Sequence, residues 1–182
     1  MSSTNRVLAG PPGDACFNRG VQHTGTPAEK AEKIGGIPMY VSEPPSSSGA
    51  GGGGGGKKVI LYLADVYGLF YLNNQLVQDY FAEGGFHVLG IDYFDEDPVH
   101  KHTEADFDRS AWIANAKKRA GEWVPKWFKA VKEIYGMCAC MVLLFAVRGD
   151  PEVGDERWAK EESARGILVW FNRFTEEVAK AT

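Results

Sequence analysis

The chain is short of the features that would place it outside ordinary globular chemistry. It has no basic excess: 20 Lys and Arg stand against 24 Asp and Glu, for a net charge of −4. Without surplus cations to neutralise phosphates, a general nucleic-acid or membrane-surface role is not expected. The one basic run, Lys117-Lys118-Arg119, reads as a solvated helix end. Long apolar runs are missing too, since the longest, Met137–Val147, has 11 residues and a spanning helix needs ~20. Residues 1–15 hold Asp14 and two prolines with no continuous apolar stretch, so a secretory leader is not expected. No Asn-x-Ser/Thr site occurs. The three cysteines, Cys16, Cys138 and Cys140, are odd in number, and the last two stand too close to staple a fold. Reduced thiols and a cytoplasmic location are the expectation.

What is present suits one domain. The chain has 182 residues, 44% of them apolar and 24% charged, enough to bury a sizeable core. Residues 1–20 read as a loosely ordered segment and 21–182 as a single domain. Ala31–Ile34 and Ile37–Ser42 flank Gly35-Gly36, a hairpin signal because both glycines accept positive φ. A Ser/Gly-rich loop covers 44–56. Its run Gly51–Gly56 followed by Lys57 mimics a phosphate loop, but it precedes a strand rather than opening a helix.

Lys58–Ala64 is a continuous apolar run, as in a strand buried on both faces of a parallel sheet. Asp65–Gly68 turns the chain. Asn73 or Asn74 offers an N-cap for a helix to Glu83 with Leu76, Val77, Tyr80 and Phe81 on one face. His87–Ile91 is a second buried-type strand, completing a βαβ unit. Two helices are predicted next, over Asp106–Lys118 and from Trp123 to Ile134. The second carries Val124, Trp127, Phe128, Val131 and Ile134 on one stripe, with Pro125 in its first turn. Cys140–Val147 is strand-like. A last helix, Glu156–Ala179, aligns Ala164, Ile167, Leu168, Phe171, Phe174 and Val178, and Trp123, Trp127, Trp158 and Trp170 read as core.

Several pieces in this order resemble the dienelactone hydrolase family, in the fungal-type branch of the α/β-hydrolase superfamily. They are Thr24–Pro27, Ile34-Gly-Gly-Ile37, Asp65-Val-Tyr-Gly68, Asn73-Asn-Gln75 and Phe81–Val88. Asp92-Tyr-Phe94 with Asp97-Pro98, Phe145–Val153 and Glu156–Phe174 complete the set. The resemblance implies an α/β fold, an α/β-hydrolase-like mostly parallel sheet with flanking helices. It implies cofactor-free hydrolysis of small lactones or esters by a Cys-His-Asp triad. The family's cysteine sits in a Gly-x-Cys-x-Gly elbow, which exposes the sulfur and aims backbone N–H groups at the oxyanion. The matching second oxyanion donor is the N–H of Val66, beside Asp65, where relatives carry an acid that contacts the resting cysteine.

The chain departs from this pattern in one stretch. Relatives carry a His-Gly pair directly before the phenylalanine matching Phe145, where this chain has Leu143-Leu144. Between Gly136 and Phe145 only eight residues stand, where the family has its elbow, the elbow's helix and the acid loop. Gly136-Met-Cys138-Ala-Cys140 reads either as a degraded elbow with Cys138 as nucleophile or as two packing cysteines leading into a strand. Asp65 reads either as a ligand-end carboxylate or as a turn residue bonding its own backbone. His87 reads as packed and His23 as near the hairpin. His100-x-His102, beside Asp95-Glu96-Asp97, reads as a solvated loop, with a metal site as the alternative, no metal being expected. Two functions follow, a small-ester hydrolase or a catalytically dead family member acting by binding. The sequence favours the second. An incomplete C-terminal half would leave open sheet edges prone to self-association and a marginal fold, unless Cys140–Val147 docks as a substitute strand.

Overall fold

A computed structural model describes residues 17, 21–28, 30–46, 57–135, 140–143 and 153–181. Most of the 1–20 segment, the Gly51–Gly56 run, Cys138 and Leu144–Val147 lie outside the described residues. The hairpin forms as the glycine pair predicts. β1 (Ala31–Ile34) pairs antiparallel with β2 (Ile37–Ser42), and Gly35 and Gly36 both adopt positive φ, 61° and 80°. β3 (Val59–Leu63), α1 (Leu72–Glu83) and β4 (His87–Ile91) make the βαβ unit, with β3 and β4 parallel and Val59 opposite His87. β5 (Cys140–Leu143) then docks parallel on the other side of β3, Val59 opposite Cys140 and Tyr62 opposite Leu143.

The strand order is β1-β2-β4-β3-β5. β1–β2 and β2–β4 are antiparallel, while β4–β3 and β3–β5 are parallel. The domain is therefore α/β with a mixed sheet rather than the mostly parallel one expected. The two-glycine connection reverses the chain and so makes β1–β2 antiparallel, and β2 in turn runs antiparallel to β4.

β3 alternates between two cores, as a strand covered on both faces must. Ile60 and Tyr62 meet Phe81 and Ala82 of α1 and Phe171 of α3 (Gly154–Ala181). Val59 and Leu61 join Met39, Val41, Leu89 and Ile91 against Trp127 and Val131 of α2 (Arg109–Tyr135). Phe17, Phe94, Trp112 and Ala116 form a third cluster at one end of α2.

Helix details depart from the sequence reading. α1 begins one residue before Asn73, with Tyr71 at its N-cap and no side-chain cap. Its buried face carries Asn74, Gln78, Phe81 and Ala82, while Tyr80 is exposed. The predicted pair of helices is one 27-residue helix, so Lys117-Lys118-Arg119 stands inside it and Pro125 interrupts its interior. Pro125 and Gly121, whose carbonyl loses its i+4 donor, are both exposed, so water can satisfy that carbonyl. The buried stripe is Trp127 and Val131, flanked by Trp123, Val124, Ala130 and Tyr135; Phe128 and Ile134 face solvent. On α3, Phe171 is buried and Ile167 and Leu168 pack beside it, but Phe174, Trp158 and Trp170 are exposed. Helical spacing locates a stripe without fixing its centre.

One pair of substitutions separates the predicted stripe from the observed one. Trp127 is 1% exposed and Ile134 is 62% exposed. Trp127→Ala is expected to lower the unfolding free energy by about 3–5 kcal/mol in urea titrations. Ile134→Ser is expected to stay within ~0.5 kcal/mol. Equal losses at both positions would contradict this packing.

Candidate active site

Ligands in open α/β sheets sit outside the carboxyl ends of parallel strands, which here means the residues after β3 and β4. β3 runs out at Leu63, and the Asp65 carboxylate folds back on the turn it starts. Its Oδ1 accepts from the Tyr67 N–H at 3.0 Å and from the Asn74 side-chain amide at 3.1 Å, and Gly68 N–H donates to the Asp65 carbonyl at 2.9 Å. Gly68 takes φ +83°, and a Cβ there would meet Pro98 at 2.7 Å, so this tight turn against the next loop requires glycine.

Asn74 holds the corner together. It is 1% exposed, and its amide nitrogen also donates to the Gly68 carbonyl at 2.8 Å while its oxygen accepts from the Tyr62 hydroxyl at 2.7 Å. One side chain thereby joins strand, turn and helix. The residue expected to cap α1 from outside is instead consumed inside the corner. Nothing in the Asn73-Asn74 pair distinguished the two roles: Asn73 accepts from the His23 N–H and donates to the Val21 carbonyl. His23 therefore lies against the first turn of α1 rather than with the hairpin.

Val66 is half-buried, its side chain against the Phe94–Trp112 cluster. Its carbonyl accepts from the Val99 N–H at 2.9 Å. Val99 opens a 3₁₀ turn, Val99–Lys101, which the sequence did not signal. Opposite, the Tyr93 hydroxyl donates to the Ala64 carbonyl. Burial, and then the nearby Asp65 charge, pushes both the Tyr62 and Tyr93 phenols well above their ordinary range, so both stay protonated donors. Asp92, at the end of β4, is buried, and desolvation raises its carboxyl above the usual range; the N–H groups of Phe94 and Glu96 on its two oxygens work the other way.

A cavity of about 390 Å³ opens beside the turn, walled by Gly68, Leu69, Tyr71, Pro98, His100 and Lys101. The His100 ring lies 5.2 Å from that of Tyr71 and stacks 6.2 Å from that of Tyr67. His102 points elsewhere, onto Asp97, Glu104 and Phe107. The two imidazoles diverge because the chain is a 3₁₀ turn there, not the extended segment that would align alternate residues. Among the described residues no group of three His, Cys, Asp or Glu side chains could hold a metal.

Cys140 and His87 do not reach this corner. Cys138 lies outside the described residues. Cys140 sits at the opposite end of the sheet, level with Val59, six residues from Asp65 and roughly 20 Å away at ~3.3 Å per residue. His87 shares that far end, flanking Val59 from β4, with its ring near Tyr135. Asp65 and Val66 are adjacent to the cavity wall, and Cys140 is not. No helix among the described residues is long and apolar enough to cross a membrane.

Comparison with known proteins finds hydrolases similar to this chain. The chain is similar to Dienlactone hydrolase 2 of Gibberella moniliformis, 35% identical over 137 residues, which cover 72% of this chain and 55% of the relative. It is 31% identical to Dienlactone hydrolase 1 of the same fungus over 141 residues, 75% of this chain and 51% of the relative. It is 35% identical to Hydrolase pyvD of Aspergillus violaceofuscus over 103 residues. The chain spans about half the length of the first two relatives. No family model matches it.

Removing the Asn74 amide leaves the buried Tyr62 hydroxyl without its acceptor and the Gly68 carbonyl with only the longer bond from the Tyr71 N–H, at 3.3 Å. Asn74→Leu is expected to cost about 2–3 kcal/mol in thermal or urea unfolding. The same change at the exposed, helical Asn115 is expected to fall within ~0.5 kcal/mol. Indistinguishable melts would show that Asn74 does not organise the corner.

Proposed function

Because the chain belongs to the dienelactone hydrolase family over the residues it shares with these relatives, we propose that it keeps the substrate end of that scaffold without a working triad. The ligand class is a small lactone or ester. Such a molecule would sit at the cavity beside Gly68, with the Val66 N–H as the candidate oxyanion donor and Asp65 as the carboxylate that relatives hold near their cysteine. The observation that supports this reading is that Cys140, the one cysteine among the described residues, lies at the opposite end of the sheet from the Asp65–Val66 corner. Ester cleavage needs a thiolate within hydrogen-bond reach of its base and next to the oxyanion donors. An unassisted thiol is only a few per cent thiolate near neutrality.

The eight residues from Met137 to Leu144, where relatives have an elbow and an acid loop, support the same reading, as an internal shortening. The chain then acts by binding, in the cytosol and with no cofactor. The outer edge of β5 is the surface through which copies would associate.

The alternative is a weak hydrolase using Cys138. One observation favours it: His100 supplies an imidazole at the Asp65 end of the sheet. Hydrolysis of a p-nitrophenyl acetate series by the purified chain separates the two. The expected result is turnover no faster than that of Cys138→Ala and of Asp65→Asn. Turnover that Cys138→Ala or His100→Ala abolishes would establish the hydrolase instead.

A further inference from the structure

The wall of the cavity is a short segment with few internal supports. Pro98 to Lys101 contributes three of the lining side chains, and the segment has only one 3₁₀ turn of its own. Its outside supports are specific. Val99 N–H bonds the Val66 carbonyl, the Trp112 indole N–H donates to the Asp97 carbonyl at 2.9 Å, and Lys101 reaches the Glu96 carbonyl. Next to it, Asp95 and Glu96 both take positive φ, 59° and 60°, a conformation that costs non-glycine residues free energy and that other contacts must maintain.

His102 supplies a further support, at the far end of the turn. Its Nε2 is 2.9 Å from an Asp97 carboxylate oxygen and its Nδ1 is 2.7 Å from a Glu104 carboxylate oxygen. The ring stacks on Phe107 at 4.1 Å and meets Trp112 edge-on at 6.4 Å, which fixes its plane. A neutral imidazole has one N–H and one bare nitrogen, so it can donate to one carboxylate and must face the other lone pair to lone pair. Both contacts are favourable together only when the three groups hold one proton more than a neutral imidazole and two carboxylates. The imidazolium is the natural place for it.

We propose that His102 is a protonation-dependent clasp: as imidazolium it ties Asp97 to Glu104 and holds the Pro98–Lys101 wall of the cavity against Val66. As a statement about regulation of the cavity this rests on the function proposed above, but the clasp is measurable whether or not the cavity binds an ester. The charged groups around the ring are few. The loop before the turn presents Asp97 and the segment after it presents Glu104. α2 presents the uncharged Trp112 indole, with Arg109 held over Phe17 and Arg119 on the Phe94 carbonyl. Lys101 is occupied by the Glu96 carbonyl.

The direction of titration follows from these partners. The hydrogen bond to Glu104, and then that to Asp97, raises the His102 pKa above its ordinary value. The bond to His102 holds Glu104 below the usual carboxylate range. A raised imidazole pKa gives a contribution that is complete below the unfolded-state value and lost as pH rises through the folded one. A lowered carboxylate gives one that is complete above its unfolded-state value and lost as pH falls through the folded one. The clasp is thus closed between the depressed Glu104 and the raised His102 values and opens on the alkaline side, where the ring loses its second proton.

NMR of the full-length chain reads both halves of the claim. The ¹⁵N shifts of the His102 ring are expected to show both nitrogens protonated at pH 6.5, with a midpoint above that of free histidine. As pH passes that midpoint, the protection factor of the Val99 amide is expected to fall about two- to fivefold, the size of effect a solvent-accessible charged pair supports. The Val88 amide, in the sheet, should not change. Asp97→Asn and Glu104→Gln are each expected to lower the midpoint and remove the step in Val99 protection, and two variants guard against one that fails to fold. A midpoint at or below the ordinary histidine value, or Val99 protection that is flat across it, would overturn the clasp. Neither outcome depends on ester turnover, so failure of the clasp and failure of the proposed function are separately visible.

Discussion

Strand β3 has no unused surface, and the rest of the molecule is arranged to make that so. Its five residues, Val59–Leu63, all pair with β4, the first four pair with β5 on the other side, and their side chains alternate into two separate cores. A strand this apolar cannot stand at an edge or turn a face to water without exposing several residues that each contribute about 1.5–3 kcal/mol by burial. The four-residue β5 is therefore a structural necessity more than an ornament. It covers the backbone of β3 and takes the end position in the strand order.

The same demand shapes what lies beyond the end of β3. The chain must leave a fully buried strand, reverse, and enter α1 within a few residues, and each backbone group it passes needs a partner. Asp65, Gly68 and Asn74 meet that need locally. The carboxylate takes the Tyr67 N–H, and the Asn74 amide takes the Gly68 carbonyl and the Asp65 oxygen. Asp65 is a turn residue by its bonds, and it stands just past the carboxyl end of β3.

Much of this was legible in the chain. Two glycines between short β-prone runs gave the hairpin to the residue, and the uninterrupted Val-Ile-Leu-Tyr-Leu marked a doubly covered strand. Each of those signals is local and backbone-determined. What could not be read depended on distant partners. Asn74 looks like a cap from its neighbours, and only the Tyr62 hydroxyl twelve residues earlier makes it a core residue. Trp158 and Trp170 have core-like composition but are exposed, because Phe171 claims the position facing Phe81 and Phe86 and leaves theirs turned outward. The direction of the sheet was misjudged for a related reason. A βαβ unit announces parallel pairing within itself and says nothing about the hairpin joined to its side.

The direction of β5 bears most closely on chemistry. Running parallel to β3, it starts with Cys140 at the Val59 end and brings Leu143 level with Tyr62, toward the Asp65 corner. The resemblance puts the family's histidine at Leu143-Leu144, and β5 carries the backbone of the first of these toward the Asp65 end of the sheet, with an isobutyl group that can neither accept nor donate a proton. On the function proposed above, an imidazole placed at Leu143 would still have no cysteine within reach along β5. Cys140 is three residues back along an extended strand, roughly 10 Å at ~3.3 Å per residue, and a nucleophile and its base must approach to about 3 Å. A single strand cannot carry both partners of such a pair. A sharp turn or a second element must bring them together, which is what a strained elbow between strand and helix provides. Four residues of regular strand cannot make that turn, however well they complete the sheet.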